Sequence, residues 1–476
     1  MSQSFDLIVI GAGPAGYVGA IRAAQLGMSV ACVERDKLGG ICNNWGCIPT
    51  KALLANAELY HRLKHDAADW GIAADNIRHD WSKVIGRSRA IADTGDRGIT
   101  SLFKKNKVTS IKGVATITRA AKGNCSVDVR DEKTGQTQTL ACKHVLVATG
   151  GRPRELPFAP FDRDRVISYK QAMALPEQPR ELIILGAGAI GMEFAYFFNA
   201  FGTKVTIVEM LDRVLPNEDS DVSAAVAKSF KKDGINLLTG HKTLAVKTHK
   251  DKVEVTIAPT ADEAKKQNLT ADRLLVAIGV RGNCDALVGK GLTLETVKDH
   301  IKVDCLRRDA DYATSLPGVF AVGDVIGPPW LAHVASEEAI VCVERLAGHH
   351  AQDIDYDAIP GCTYCLPQVA SLGKTEDKLK AAGLTAGKDY NVGKFPFAAS
   401  GKARAIGSTD GFIKVLSDAK TGEVLGVHMV GESVTELLAE MGVAKRLEAT
   451  TDELIATMHA HPTLSEAVHE AILATK

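Results

Sequence analysis

The 476-residue chain lacks an excess of charge of either sign: 57 Lys and Arg face 57 Asp and Glu, a formal net charge of zero. That removes the electrostatic footprint with which nucleic-acid binders attract phosphate, a local basic patch aside. The chain also lacks any run approaching the ~20 apolar residues that a membrane-spanning helix needs. Its first residues, Met1-Ser2-Gln3-Ser4-Phe5-Asp6, carry no basic stretch leading into an apolar one, so no signal peptide is expected. Hydrophobic residues at 45% and charged residues at 24% are ordinary globular proportions and argue against disorder. The expectation is a soluble cytoplasmic protein without nucleic-acid or membrane partners. At about 150 residues per domain it holds roughly three domains, with a fourth if one is small.

Cysteine is present at 32, 42, 47, 125, 142, 284, 305, 342, 362 and 365. A chain this long needs no disulfide scaffold, and a reducing cytosol keeps most thiols free. Any disulfide is then expected to be catalytic. Only two pairs are closely spaced, Cys42 with Cys47 and Cys362 with Cys365. The second pair has no further ligands at zinc spacing and reads as core thiols.

One pattern occurs twice. The apolar run from Phe5 to Ile10 leads into Gly11-Ala12-Gly13-Pro14-Ala15-Gly16, a small-residue helix to Leu26, and a strand from Met28 to Val33 that closes on Glu34. The run from Leu182 to Leu185 leads into Gly186-Ala187-Gly188-Ala189-Ile190-Gly191, a helix to Phe201, and Lys204 to Val208 closing on Glu209. Gly11 and Glu34 are 23 residues apart, as are Gly186 and Glu209. A single such turn is weak; two in matching context are strong. The first glycine permits the tight turn, the second lets backbone approach a pyrophosphate, and the third lets helix pack on strand. The helix N-terminus presents unpaired N–H groups and partial positive charge to the phosphates. Each acid can accept from a ribose 2′-hydroxyl. Glu209 repels a 2′-phosphate and favours NAD over NADP, a preference that Arg213 softens without reversing.

Two strands ending in glycine, Val145 to Gly150 with Thr149, and Leu274 to Gly279, follow the two turns. A return segment, Leu316 to Asp324, ends a strand in Gly-Asp, and Asp324 there can bind a second hydroxylated part of the first cofactor. The expected division is a first nucleotide domain at 1–150, a second inserted at 151–280, a return segment at 281–350, and a last block at 351–476. That block has alternating segments at Gly411 to Ser417 and Val424 to Val430, and helices at Val434 to Leu447 and Thr463 to Ala474. It carries no dinucleotide turn and offers a subunit interface instead.

Cys42 and Cys47 on an ideal helix would have Cα atoms roughly 8–9 Å apart, beyond the ~7 Å limit for a disulfide. The pair closes only if the helix is distorted, which Gly46 makes easier; two free thiols are the alternative. Lys51 shares a helical face with Cys47 and can stabilise its thiolate. Near the C-terminus, Glu466 can hold His461 as a base for thiol protons, or Thr463 and Glu466 can form a helix capping box. His459 is a weaker candidate.

Gly39 to Lys51, the two turns, Ala148 to Gly150, Gly323-Asp324 and His461-Pro-Thr-Leu-Ser-Glu466 resemble, in order, the pyridine-nucleotide disulfide oxidoreductases. The resemblance runs from Asp6 nearly to the C-terminus. It departs at Asn43 and Thr50, where that pattern has Leu and Ser. The resemblance implies an α/β fold of two Rossmann-like domains, the second inserted in the first, with a C-terminal α+β dimerisation domain. It implies FAD at Gly11, Gly13, Gly16, Glu34 and Asp324, with Thr149 and Gly150 beside it, and NAD at Gly186, Gly188, Gly191, Glu209 and Gly279. It further implies a redox-active Cys42–Cys47 disulfide, Lys51 near the flavin paired with Glu193, His333 at the flavin's pyrimidine edge ahead of a helix from Val334, and His461 with Glu466 as the base. Glu193 read alone is a carboxylate favoured by the helix dipole. The implied reaction oxidises protein-bound dihydrolipoamide and reduces NAD. Its implied partners are a second copy of the chain and lipoyl domains of a 2-oxoacid dehydrogenase or glycine cleavage complex, carried on another chain.

Overall fold

A computed structural model describes residues 4–304 and 311–476; Cys305 lies outside them. The chain forms two compact units. One holds residues 1–52, 83–154 and 279–354, the other 53–82, 155–278 and 355–476. Among the described residues no helix is long and apolar enough to cross a membrane.

The first unit is built on a seven-stranded sheet. Strand Ser4–Ile10 lies between Val30–Glu34 and Thr137–Val147, parallel to both. Near-continuous apolar runs mark such strands because parallel sheets are covered on both faces. Leu7, Ile8 and Val9 are fully buried accordingly. Thr137–Val147 is longer than the short strand expected, and it divides its edge. Its first half pairs antiparallel with Cys125–Arg130, and its last residues pair parallel with Val319–Ala321. The return segment therefore completes the sheet that the N-terminus began. Gly151–Pro153 and Val280–Gly282, where the chain leaves this unit and re-enters it, pair antiparallel.

The second unit contains a parallel five-stranded sheet in the order Asn236–Leu238, Lys204–Val208, Glu181–Leu185, Arg273–Val276, Val166–Ile167. A separate antiparallel sheet runs Gly361–Thr363, Gln368–Gly373, Val424–Gly431, Phe412–Asp418, Tyr390–Pro396. Helices Val434–Arg446 and Glu466–Leu473 contribute Leu438, Met441, Val468 and Ile472 to its apolar core. The last helix begins at Glu466, not at Thr463, because Thr463 spends its amide on the Glu466 carboxylate.

Lys414 in this sheet is a buried cation: its side chain is 2% exposed. Its ammonium bonds Asp219 at 2.9 Å, Glu376 at 2.6 Å and Asp221 at 3.2 Å. Asp219 caps helix Ser220–Lys232 and Glu376 opens helix Glu376–Ala381, so one buried cation joins two helix starts to a strand.

Candidate active site

The outer glycines of the two turns meet matching constraints. Gly11 and Gly186 have φ of +96° and +100°, and a Cβ there would lie 2.4 and 2.5 Å from the carbonyl oxygens of Ala148 and Ala277. A Cβ at Gly16 or Gly191 would lie 1.8 or 2.0 Å from the carbonyl oxygen of the first glycine of its own turn. The middle glycines differ from these: Gly13 meets nothing nearer than 3.9 Å, and Gly188 meets nothing within 4 Å. Packing explains the outer glycines. The middle ones leave space beside helices Pro14–Gln25 and Ala189–Ala200, whose N-termini have no side-chain cap. Backbone N–H groups at an uncapped helix start, with open room before them, suit a pyrophosphate.

The acids are congruent too. Glu34 Oε2 accepts from the Ala12 amide at 2.7 Å and Oε1 from Asp36 at 2.8 Å. Glu209 Oε2 accepts from Ala187 at 2.7 Å and Oε1 from Leu211 at 2.9 Å. Each acid thus braces its own turn. Arg213, the cation that tempers the preference against a 2′-phosphate, reaches Asp377 at 3.4 Å.

Around the first turn, Thr149 Oγ1 donates to the Asn283 carbonyl at 2.9 Å, and Asn283 Nδ2 donates back to the carbonyls of Thr149 and Gly151. Gly150 and Gly279 both have positive φ, +68° and +109°. Gly323 donates its amide to buried Glu338 at 2.7 Å, which sets the Gly-Asp turn against helix Ala332–Leu346. Asp324 beside it has no such compensation: burial pushes its carboxyl up to about 6. A carboxylate desolvated without a donor fits a ligand hydroxyl. The chain is therefore well matched to FAD at the first turn and a pyridine dinucleotide at the second. His333 lies within the first turn of its helix, which starts at Ala332 rather than Val334 because no side-chain cap fixes a later start.

The cysteine pair sits in the first unit. Helix Gly40–Trp45 ends at Gly46, with φ −147° and ψ −113°, and helix Cys47–His61 begins immediately. The distortion that the spacing required is thus a complete break, with Cys42 on one helix and Cys47 opening the next. The sulfurs are thiols here and not joined. The break brings the two sulfurs within hydrogen-bonding reach of each other, the proximity that the expected disulfide needs. That hydrogen bond, then burial, then the charge of Cys47 push the Cys42 thiol up, against the pull of Lys51. Cys42 therefore holds its proton more tightly than an ordinary thiol does. Tyr17 is pushed up by burial and by the charge of both sulfurs. Asn43 is buried and donates to the Ala92 carbonyl at 2.9 Å, so it fastens the short helix to the long helix Trp81–Lys105. Asn44 donates to Leu38 and Gly40.

In the second unit Glu193 is buried on helix Ala189–Ala200, and its Oε1 accepts from the Tyr364 amide at 3.0 Å, between Cys362 and Cys365. Glu466 meets both His461 and Thr463, but not as a capping box: the Thr463 hydroxyl donates to the Ala460 carbonyl at 2.7 Å, and the helix starts at Glu466 itself with no side-chain cap. Glu466 Oε1 binds His461 Nδ1 at 2.7 Å while Oε2 accepts from the Thr463 amide at 2.8 Å. The His461 side chain is 80% exposed, whereas His459, bound to Glu440 at 2.7 Å, is 8% exposed.

Residues 5–339 match the family described as pyridine nucleotide-disulphide oxidoreductase, and residues 359–472 match its dimerisation domain. The chain belongs to this family. Among its relatives, a dihydrolipoyl dehydrogenase of Zymomonas mobilis is 44% identical over 477 residues, covering all of this chain and 98% of the relative. Another from Rhizobium etli is 42% identical over 484 residues, covering 99% and 98%. The crystal structure of LpdA from Mycobacterium tuberculosis superposes with a TM-score of 0.89 at 25% identity, covering 99% of each chain.

Sequence reasoning missed four supports of this family's site: Tyr17, Asn283, Glu338 and Tyr364. Tyr17 was within reach, one residue past the last turn glycine. Asn283 and Glu338 carry no local signal, because each meets its partner only through strand pairing or helix docking. Tyr364 acts through its backbone amide, which no residue type announces.

Proposed function

We propose that the chain is a dihydrolipoyl dehydrogenase, which oxidises protein-bound dihydrolipoamide to lipoamide and reduces NAD to NADH. The observation that carries this reading is the hydrogen-bonded Cys42–Cys47 dithiol, spanning a helix break in the unit that also holds a dinucleotide turn and Asp324.

In the oxidised protein Cys42 and Cys47 form the disulfide. His461, oriented by Glu466, takes a proton from a substrate thiol. The substrate thiolate attacks Cys42 Sγ, the Cys42–Cys47 bond breaks, and Cys47 leaves as a thiolate. The second substrate thiolate then attacks the first substrate sulfur and expels Cys42, which takes up a proton. The raised Cys42 thiol supports its taking up the proton at the end of that sequence. Gly11, Gly13, Gly16, Glu34, Thr149, Gly150, Asp324 and His333 would hold FAD, which would supply two-electron redox chemistry between the dithiol and NAD. Gly186, Gly188, Gly191, Glu209 and Gly279 would hold NAD, and Lys51 would supply positive charge to the flavin. The dimerisation domain supports a homodimer in which His461 of one copy serves the dithiol of the other. Lipoyl domains of a 2-oxoacid dehydrogenase or glycine cleavage complex in the cytoplasm bring the substrate.

The test is an assay of the purified yellow protein. It reduces NAD with dihydrolipoamide and ignores glutathione disulfide with NADPH. The reverse preference rejects the assignment.

A further inference from the structure

Two thiols far apart in sequence face each other across the first unit's sheet. Cys125 and Cys142 are directly opposed in the antiparallel pair Cys125–Arg130 with Thr137–Val147. Opposed residues in such a pair project to the same face. Both enter one apolar cluster with Ile8, Val127, Val145 and Val319. Directly opposed antiparallel residues have Cα atoms about 4.5 or 5.5 Å apart, and a disulfide spans about 4.4–6.8 Å. The backbone therefore already meets the requirement that an intact helix would deny Cys42 and Cys47. Both sulfurs are free thiols. The Cys125 thiol is directed at the Ala121 carbonyl at 3.3 Å, with the carbonyls of Gly318 and Pro317 at 3.7 and 3.9 Å. Burial, then the charge of Cys125, push the Cys142 thiol up to about 12, so each sulfur lies in the other's field.

We propose that Cys125 and Cys142 are a second oxidisable dithiol, which closes to a cross-strand disulfide when a hydroperoxide oxidises the protein. One thiol, deprotonated, attacks a peroxide oxygen; the O–O bond breaks, giving a sulfenic acid and one water. The second sulfur attacks the sulfenic sulfur, the S–O bond breaks, the S–S bond forms, and a second water leaves. The two thiols together lose two electrons and two hydrogens, and one hydrogen peroxide becomes two waters. Held protonated and buried, these thiols resist exchange with disulfides, which require a thiolate. A small neutral peroxide meets the same need for a thiolate but enters the buried site more readily than a disulfide does, so oxidation takes a higher dose than at exposed thiols. The pair is therefore separate from the Cys42–Cys47 couple, and its oxidation does not depend on the proposed reaction. Closure withdraws the Cys125 sulfur from the Gly318 carbonyl, at the entry to strand Val319–Ala321.

The experiment treats the full-length holoprotein with graded hydrogen peroxide and blocks remaining thiols with N-ethylmaleimide under unfolding conditions. Tryptic peptides are then mapped without reduction. The expected product is peptide 123–130 joined to peptide 134–143, two hydrogens lighter than their sum, formed at higher peroxide than the Cys42–Cys47 disulfide and reversed by dithiothreitol. In Cys142→Ser, which keeps basal activity, Cys125 forms no cross-link. The proposal is overturned by both cysteines remaining alkylatable at doses that oxidise other thiols, by their conversion to sulfinic acid without a link, or by Cys125 joining another cysteine.

Discussion

Glu466 holds His461 with one carboxylate oxygen and the Thr463 amide with the other, at 2.7 and 2.8 Å. A single side chain thereby ties the Thr463 backbone to the His461 imidazole, and the His461 nitrogen facing the carboxylate is the proton donor of that pair.

His461→Gln should slow dithiol oxidation by roughly 10²–10⁴-fold, the usual worth of a positioned base. Reduction of artificial acceptors by NADH should be nearly unchanged. Stopped-flow measurement of the two half-reactions separates them, and equal losses in both would remove His461 from its role. The Thr463 amide first, then His461, hold the Glu466 carboxyl below the usual range. A lowered carboxyl keeps its contribution above its unfolded pKa and loses it as pH falls through the lowered value. The pair should therefore survive mild acid.

The glycine turns predict opposite phenotypes for neighbouring substitutions. Gly188→Ala adds a methyl to open space and should leave the melting temperature within a degree or two while raising the KM for NAD. Gly191→Ala places that methyl 2.0 Å from the Gly186 carbonyl oxygen. Its cost should be about 1–3 kcal/mol or more, as in other overpacked positions. Thermal melts alongside NAD titrations decide between them.

Asp324→Asn should weaken flavin retention and also change the pH dependence of the apoprotein. Burial raises the carboxyl from 3.8 to about 6 in the folded chain. Between those values the folded state holds the proton that the unfolded state has lost, so stability falls as pH rises through this window. The loss attributable to Asp324 is on the order of 3 kcal/mol. Denaturant titrations of apoprotein at pH 4 and pH 7 should show a smaller drop in the Asn variant; identical drops would contradict the assignment.

Lys414→Ala should destabilise the protein by roughly 3–5 kcal/mol, because it strands a buried carboxylate. Burial alone would lower the Lys414 pKa, but its hydrogen bonds to Glu376 and Asp219 outweigh that and raise it. Lys414→Met combined with Asp219→Asn and Glu376→Gln should recover much of the loss. A triple variant no more stable than the single one, by urea melts, would show that the ion cluster is not the cause.

Much of this was legible because it is local. The turn glycines, the acids at the strand ends and the His461–Glu466 spacing each lie within one supersecondary unit, where chain geometry fixes what neighbours can do. The helix break at Gly46 was legible as a requirement, though its form was not. Cys125 opposite Cys142 was not legible, since 17 residues separate them and only the register of two strands brings them face to face. Lys414 carried no signal either, as it reads as a surface residue until Asp219 and Glu376 arrive from elsewhere in the chain.

The sequence by itself determined the two nucleotide turns, the spacing of the redox thiols and the His461–Glu466 pairing, because backbone sterics and hydrogen bonding over a few residues decide such features. Tertiary structure alone decided which carboxylate lost its solvent, which thiols hold their protons tightly and which cysteines met. Those outcomes depend on desolvation and on distances between segments that only packing sets.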